Sequence, residues 1–176
     1  MMVISDTHDN MIVVKRLIDI ASRERVDVIV HCGDFISPFV IKEFVKANVN
    51  LIGVFGNNDG DKPTILRFSE GTKVSITPAP REVDLDGFSI VINHGWGTIE
   101  KTKRIIESLA LSGIYDIVFY GHTHQLDVRV VRDEKILDLT KDLKSKKIIK
   151  IGGVWDTIIV NPGEAGGWLT KNSTYI

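Results

Sequence analysis

The N-terminal third of the chain repeats a pattern that leaves few options for its architecture: a short apolar run, then a stretch with apolar residues at helical spacing. Met2-Val3-Ile4 is a minimal strand. Asn10 can cap a helix whose apolar face carries Val13, Leu17, Ile20 and Ala21, with Lys15, Arg16, Asp19 and Arg23 off that face. Asp27 to Cys32 is a second strand, and Ser37 with Pro38 starts a helix burying Ile41, Phe44 and Val45. Asn50 to Phe55 is a third strand. Strands joined through helices pair in parallel, and the helices then cover the sheet, so the expectation is an α/β fold.

The pattern changes after Gly71. A short helix follows Pro63, then Val74 to Ile76 and Arg81 to Leu85 are short strands. Asp86-Gly87 is a strong hairpin signal before the returning strand Phe88 to Asn93. Glu100 to Leu111 is helical, with Thr102, Ile105, Ile106 and Leu109 on one face, and Ile117 to Tyr120 is a buried strand. The remainder has β texture over Val128 to Val131, Ile136 to Leu139, Ile148 to Ile151 and Val154 to Val160, with Gly152-Gly153 as a turn. Lys141, Lys144, Lys146, Lys147 and Lys150 fit a solvated edge guarded by lysine. With 176 residues and no repeat, low-complexity tract or linker, residues 1–176 are expected to form a single domain.

Charge and cysteine content narrow the function class. The net charge of −1 suggests neither a nucleic-acid nor an anionic-membrane surface. The longest uncharged stretch, Gly87 to Ile99, falls short of the ~18 apolar residues of a spanning helix. No basic, then apolar, segment opens the chain as a signal peptide would. Cys32 is the only cysteine, which fits a small core residue and a reducing cytoplasm.

Polar clusters follow five of the strands: Asp6-Thr7-His8, Gly33-Asp34, Gly56-Asn57-Asn58-Asp59, His94, and His122-Thr123-His124. In an open α/β sheet the carboxyl ends of the strands form the ligand-binding edge, so these clusters should converge there. Burying so many polar groups together is costly unless something satisfies them, and divalent metal ions would. The donors exceed what one tetrahedral site can use, so two ions sharing a ligand are expected. A carboxylate can bridge two ions, and Asp34 is the natural bridge. The mixed nitrogen and oxygen set favours manganese, iron, zinc, cobalt or nickel over magnesium or calcium. Two divalent ions against two carboxylates leave roughly +2 at the site, which attracts anionic oxygen. Such ions lower the pKa of bound water from ~16 towards ~7 and, ~3.5–4 Å apart, can clamp a phosphoryl group. Phosphoester hydrolysis is the leading chemistry, ahead of peptide or amide hydrolysis.

The ordered series D-x-H, G-D, G-N, H-G and G-H-x-H resembles the calcineurin-like metallophosphoesterases, and within them the small bacterial and archaeal phosphodiesterase branch. The likeness runs from Met1 through Asn161-Pro162-Gly163. It implies a four-layer α/β/β/α sandwich and a metal-dependent phosphodiesterase acting on a small phosphoester, with manganese as the first choice of metal. It implies one ion held by Asp6, His8, Asp34 and His124, a second held by Asp34, Asn57, His94 and His122, and a bridging hydroxide as the nucleophile. A retromer subunit with impaired metal ligation is similar in fold and serves as a scaffold. All seven ligand positions are filled with usable donors here, which favours an enzyme. A nuclease is disfavoured because related nucleases carry additional domains and the chain lacks a basic face.

Three departures from the family pattern stand out. Many relatives have histidine after the glycine-asparagine pair, where this chain has Asn58. An amide donates hydrogen bonds but is no acid near neutral pH, so Asn58 is expected to contact a phosphate oxygen, with Asp59 orienting the loop. The Asp133 to Lys150 segment is longer than in compact relatives. Thr174-Tyr175-Ile176 falls where relatives continue into another strand, which would leave an edge open, with a homo-oligomer as one use for it. His31 is expected in the core or behind the ligands. Trp96 and the Glu164-to-Trp168 loop are candidate cleft walls, with core or surface packing as the other reading.

Overall fold

The computed structural model describes residues 1–144 and 156–176. β1 (Met2–Ile4), β2 (Ile29–His31), β3 (Leu51–Val54) and β4 (Val74–Thr77) form a four-stranded sheet in that order. Every neighbouring pair in it is parallel. α1 (Met11–Arg23), α2 (Pro38–Lys46) and α3 (Lys62–Ser69) connect these strands. Local chemistry sets their starts. The side chains of Asn10, Ser37 and Asp61 accept from the N–H groups of Val13, Phe39 and Thr64, and a proline opens α2 and α3. α1 buries Val14 with Leu17 and Ala21, while Val13 and Ile20 are only partly buried. Both sets have helical spacing, and contact with the sheet selects the one centred on Val14.

The second sheet has six strands: β5 (Arg81–Leu85), β6 (Phe88–Ile92), β7 (Ile117–Phe119), β8 (Leu126–Arg132), β9 (Lys135–Asp138) and β10 (Thr157–Pro162). Their order is β5-β6-β7-β10-β8-β9, with β10 parallel to β7 and antiparallel to β8. Asp86 and Gly87 join β5 to β6 with φ of +52° and +84°, the left-handed pair a tight hairpin requires. α4 (Ile99–Leu111) starts at Thr98, whose side chain accepts from Lys101 N–H, and buries Thr102, Ile106 and Ala110. α5 (Thr140–Lys144) corrects the expectation of β structure throughout the C-terminal part. The expected strand Ile148 to Ile151, the Gly152-Gly153 turn, Val154, and Lys146, Lys147 and Lys150 lie outside the described residues.

Side-chain alternation divides the core into layers. Met2, Ile4, Ile29 and Leu51 pack against α1–α3, whereas Val3, Val30 and Val54 point the other way, towards Ile90, Ile92 and Phe119 of the second sheet. On that sheet's far side Val91, Val118 and Ile159 pack against Ile106 and Ala110 of α4. The result is helices, sheet, sheet and helix, the four-layer α/β/β/α sandwich. With both faces covered, strands as short as β1 and β2 are wholly apolar or buried. Beyond β1, Ile176 exchanges backbone hydrogen bonds with Val3, so that edge is joined by the chain itself at this residue.

Candidate metal centre

The site is assembled where the strands of both sheets end. β1 leads into Asp6 and His8, β2 into Asp34, β3 into Asn57, β6 into His94, and β7 into His122 and His124. Asp6, His8, Asp34, His122 and His124 all have φ between +44° and +67°, a costly region for residues with a side chain. That turn geometry aims each side chain back over the strand ends. Backbone bonds brace it: Asp6 N–H donates to Gly33, His8 N–H to Asp34, Gly121 N–H to His94 and Gly166 N–H to Asp6.

All seven residues meet, in two groups that share Asp34. In the first, Asp6, His8, Asp34 and His124 bring one donor atom each within 4.8 Å of one another. His124 Nε2 lies 3.3 Å and His8 Nε2 3.7 Å from Asp6 Oδ1, and the two nitrogens are 3.4 Å apart. In the second, Asn57 Oδ1 is 3.0 Å from His94 Nε2 and 2.8 Å from His122 Nδ1. Asp34 Oδ2 stands between the groups, 3.4 Å from His94 Nε2 and 4.0 Å from His8 Nε2.

The chemistry of these donors fits divalent ions. Asp6 is fully buried; its Oδ2 accepts from Ser5 Oγ and His122 N–H, but Oδ1 has no hydrogen-bond partner among the described residues. A buried carboxylate oxygen left unpaired is expensive, and this one faces two imidazole nitrogens. His94 Nδ1 sits 2.8 Å from the Cys32 carbonyl and His122 Nε2 2.6 Å from that of Gly97, so each ring gives its proton there. The opposite nitrogens then present lone pairs to the site, the arrangement in which a second hydrogen bond orients a metal-binding imidazole.

The local field also favours positive charge. Burial pulls the His94 imidazole down, but Asp34 and Asp6 outweigh it and raise its pKa. His124 is raised first by its contact with Asp6, against burial, with Glu164 and Asp34 adding to the rise. Burial pushes the Asp34 carboxyl up, yet contacts with His94 and Asn58 hold it below the usual carboxylate range. Asn58 gives Asp34 two hydrogen bonds, from its backbone N–H to Oδ1 (2.9 Å) and from Nδ2 to Oδ2 (2.7 Å).

Three residues support the site: Asp59, expected to orient its loop, and Asn161 and Glu164, whose roles emerge only in the fold. Asp59 accepts from the N–H groups of Asp34, Ile36 and Gly56, locking the β2 and β3 loops together. Asn161 Nδ2 donates to Gly121 O and Thr123 Oγ1, holding the turn that bears His122 and His124. Glu164 is buried, accepts from the N–H groups of Trp168, Leu169 and Thr170, and stands 3.9 Å from His124 Nδ1. His31 does not enter the site: it is buried, stacks on Phe35 at 3.8 Å and meets Thr7 Oγ1 at 3.1 Å. Cys32 is buried too, and burial pushes its thiol up, as befits a core residue. Trp168 is exposed and donates from Nε1 to His8 O, while Trp96 borders a cavity beside Asn57 and His94.

A sequence model described as the calcineurin-like phosphoesterase superfamily domain matches residues 1–176. Phosphodiesterase MJ0936 of Methanocaldococcus jannaschii is 34% identical over 169 residues, spanning 96% of this chain and 85% of that protein. A solved structure of an archaeal phosphodiesterase is similar with a TM-score of 0.74 at 33% identity, covering 99% of this chain and 91% of the other. YfcE, a phosphoesterase from E. coli, shares the fold with a TM-score of 0.59 at 20% identity, covering 93% and 78% of the two chains.

Proposed function

The chain belongs to the calcineurin-like phosphoesterase superfamily and is a metal-dependent phosphodiesterase, and we propose that it works through a binuclear centre built from seven side chains. Asp6, His8, Asp34 and His124 would hold one divalent ion, and Asp34, Asn57, His94 and His122 the other. Manganese is the first choice, and nickel, zinc, iron and cobalt suit the same nitrogen and oxygen donors. Bound there, the ions supply Lewis acidity, polarising phosphoryl oxygen and lowering the pKa of water from ~16 towards ~7. The observation that carries the reading is the buried, unpartnered Asp6 Oδ1 facing His8 and His124.

The protein's own groups do the positioning. The Cys32 and Gly97 carbonyls fix the rings of His94 and His122, and Asp59 fixes the backbone that carries Asp34. Asn58 supplies an amide donor beside the shared carboxylate, and its proposed role is to contact a phosphate oxygen. As an amide it gives no proton to a departing alkoxide, which suits diesters with good leaving groups. Cys32, the only cysteine, is buried and fits a reducing compartment, so the cytoplasm is the proposed location. No described helix is long and apolar enough to cross a membrane. A small phosphoester is the proposed substrate and a homo-oligomer the proposed assembly.

The test uses metal-depleted protein reloaded with manganese or nickel and assayed on matched phosphate mono- and diesters. Metal-dependent turnover, higher on the diester, is expected. No metal-dependent turnover on either ester would overturn the reading and leave a scaffold with the enzyme's fold.

A further inference from the structure

Between β7 and β8 the chain carries His122 and His124 across the end of a strand that lies between the two. β10 pairs with both β7 and β8, so no ladder joins those strands directly. Residues 121–125 are therefore not a hairpin turn whose shape its own two strands would fix. Side chains tie the ends of this span instead. Tyr120, the residue before Gly121, is fully buried, and its hydroxyl donates to Oδ2 of Asp127 on β8. Arg129 Nε donates to the same oxygen at 3.0 Å, and Arg129 Nη2 lies 2.8 Å from it. Arg129 Nη1 in turn donates to Glu107 of α4. Tyr120, Asp127 and Arg129 are each no more than 8% exposed.

We infer that Tyr120, Asp127 and Arg129 are positioning residues for the metal centre: together they hold the span that presents His122 to one ion and His124 to the other. The inference rests on the proposed ligand roles of those two histidines. The bond between hydroxyl and carboxylate fixes the chain two residues before His122 and three after His124. Two nitrogens of Arg129 hold the carboxylate in place, and Glu107 ties the guanidinium to the helix layer. Asn161 secures the middle of the span at Gly121 O and Thr123 Oγ1, so ends and middle are held by different side chains. Replacing a buried ion pair by apolar side chains of similar volume is often neutral for stability, so what this one adds is a fixed geometry. Because His122 and His124 belong to different groups, slackening the span weakens both ions together.

Calorimetric titration of manganese into the metal-depleted protein reads this directly, since a dissociation constant measured on folded protein does not depend on global stability. Tyr120→Phe removes one hydroxyl and keeps the ring; it should weaken both ions by about tenfold, the low end for groups that orient metal ligands. Asp127→Ala should weaken them further, and Asp127→Asn, which keeps an oxygen acceptor for the Tyr120 hydroxyl, should recover part of the loss. Thr157→Val is the control for mere loss of a buried hydrogen bond, because Thr157 Oγ1 meets Ala110 O and Tyr115 O at the opposite end of β10. It should lower stability and leave both dissociation constants unchanged. The d–d absorption of the cobalt-loaded protein, which reports ligand geometry, should change in Tyr120→Phe and not in Thr157→Val. Wild-type affinity in Tyr120→Phe, or equal weakening in Thr157→Val, would overturn the inference. Amide hydrogen exchange in the metal-free protein gives a second readout. The N–H groups of Gly121, His122 and Thr123, bonded to His94 O, Asp6 Oδ2 and Gly121 O, are the reporters. In Tyr120→Phe they should exchange about tenfold faster, the scale of one lost hydrogen bond to a charged group, while Ile158 N–H keeps its rate. If the wild type binds no manganese, the metal reading fails, and the exchange rates still decide whether Tyr120 holds the span.

Discussion

Asn58 is the residue at which this site differs most in chemistry from one with a histidine after the glycine-asparagine pair. One N–H of its amide goes to Asp34 Oδ2 at 2.7 Å, which leaves the other for the proposed phosphate contact, but an amide is no acid near neutral pH. Asn58→His should therefore raise turnover of diesters with poor alkoxide leaving groups, by up to the ~10²–10⁴-fold typical of positioned acid catalysis, and leave p-nitrophenyl esters nearly unaffected. No gain, at unchanged metal content, would show that proton donation is not what limits the enzyme. His31 makes a different prediction. Its Nδ1 accepts from Gly33 N–H, so the ring is neutral with its proton on Nε2 towards Thr7. Burial lowers its pKa from 6.5 to about 3, against a smaller upward pull from Asp34. Below about pH 6.5 the unfolded chain binds a proton on this ring and the folded chain does not, so its stability contribution is full above that pH and is lost as pH falls towards 3. The slope is at most about 1.4 kcal/mol per pH unit. Denaturant titrations of metal-depleted protein between pH 7 and 5 should show a shallower slope for His31→Gln. Identical slopes would mean that His31 titrates alike in both states.

Among the elements, the turns at the strand ends carry as much of the design as the proposed ligands they bear. A Cβ added at Gly121 would lie 2.0 Å from Ser5 Oγ, 2.9 Å from Asp6 Oδ2 and 3.0 Å from the Cys32 carbonyl. Gly121→Ala should therefore cost about 1–3 kcal/mol or more, the usual penalty of overpacking, and displace Asp6 as well. Gly60→Ala, whose new methyl would meet only Ile36 O at 3.6 Å, is the control. Comparable denaturation midpoints and metal content in the two variants would refute this account of Gly121. The elements also show what the sequence alone could reveal. The strands up to β9, the caps at Asn10 and Ser37 and the Asp86-Gly87 hairpin follow from local periodicity and turn chemistry and appear, whereas the expected strand Ile148 to Ile151 lies outside the described residues. α5 was not legible because five residues between β-like runs carry too little periodicity to identify a helix. The insertion of β10 between β7 and β8 depends on long-range pairing, which no local pattern encodes. The supporting roles of Asn161 and Glu164 arise likewise from tertiary placement, whereas Asp59 and the seven candidate donors stand in polar clusters that follow strands in the sequence.

For the molecule as a whole, the centre matters because it sits across the junction of two sheets. Asp6, His8, Asp34 and Asn57 follow strands of the first sheet, and His94, His122 and His124 follow strands of the second. Asp34 Oδ2 approaches His94 across that junction at 3.4 Å, so ions bound here would clamp the two sheets in addition to serving the reaction. The unfolded chain cannot bring these donors together, so binding is linked to folding and stabilises by RT ln(1 + [L]/Kd). At a free metal concentration of 100 Kd this amounts to about 2.7 kcal/mol for one site. A chain of this length shifts its Tm by about 2–4 °C per kcal/mol, so saturating manganese should raise the Tm by roughly 5–10 °C, and a chelator should reverse the shift. Asp34→Asn should remove most of that increment and abolish metal-dependent turnover, because the substitution weakens both ion sites at once. His124→Ala, which touches only the first group, should retain part of the shift through Asn57, His94 and His122. Equal losses from the two variants would argue that the groups act as one site, and a full shift in Asp34→Asn would remove Asp34 from the junction altogether.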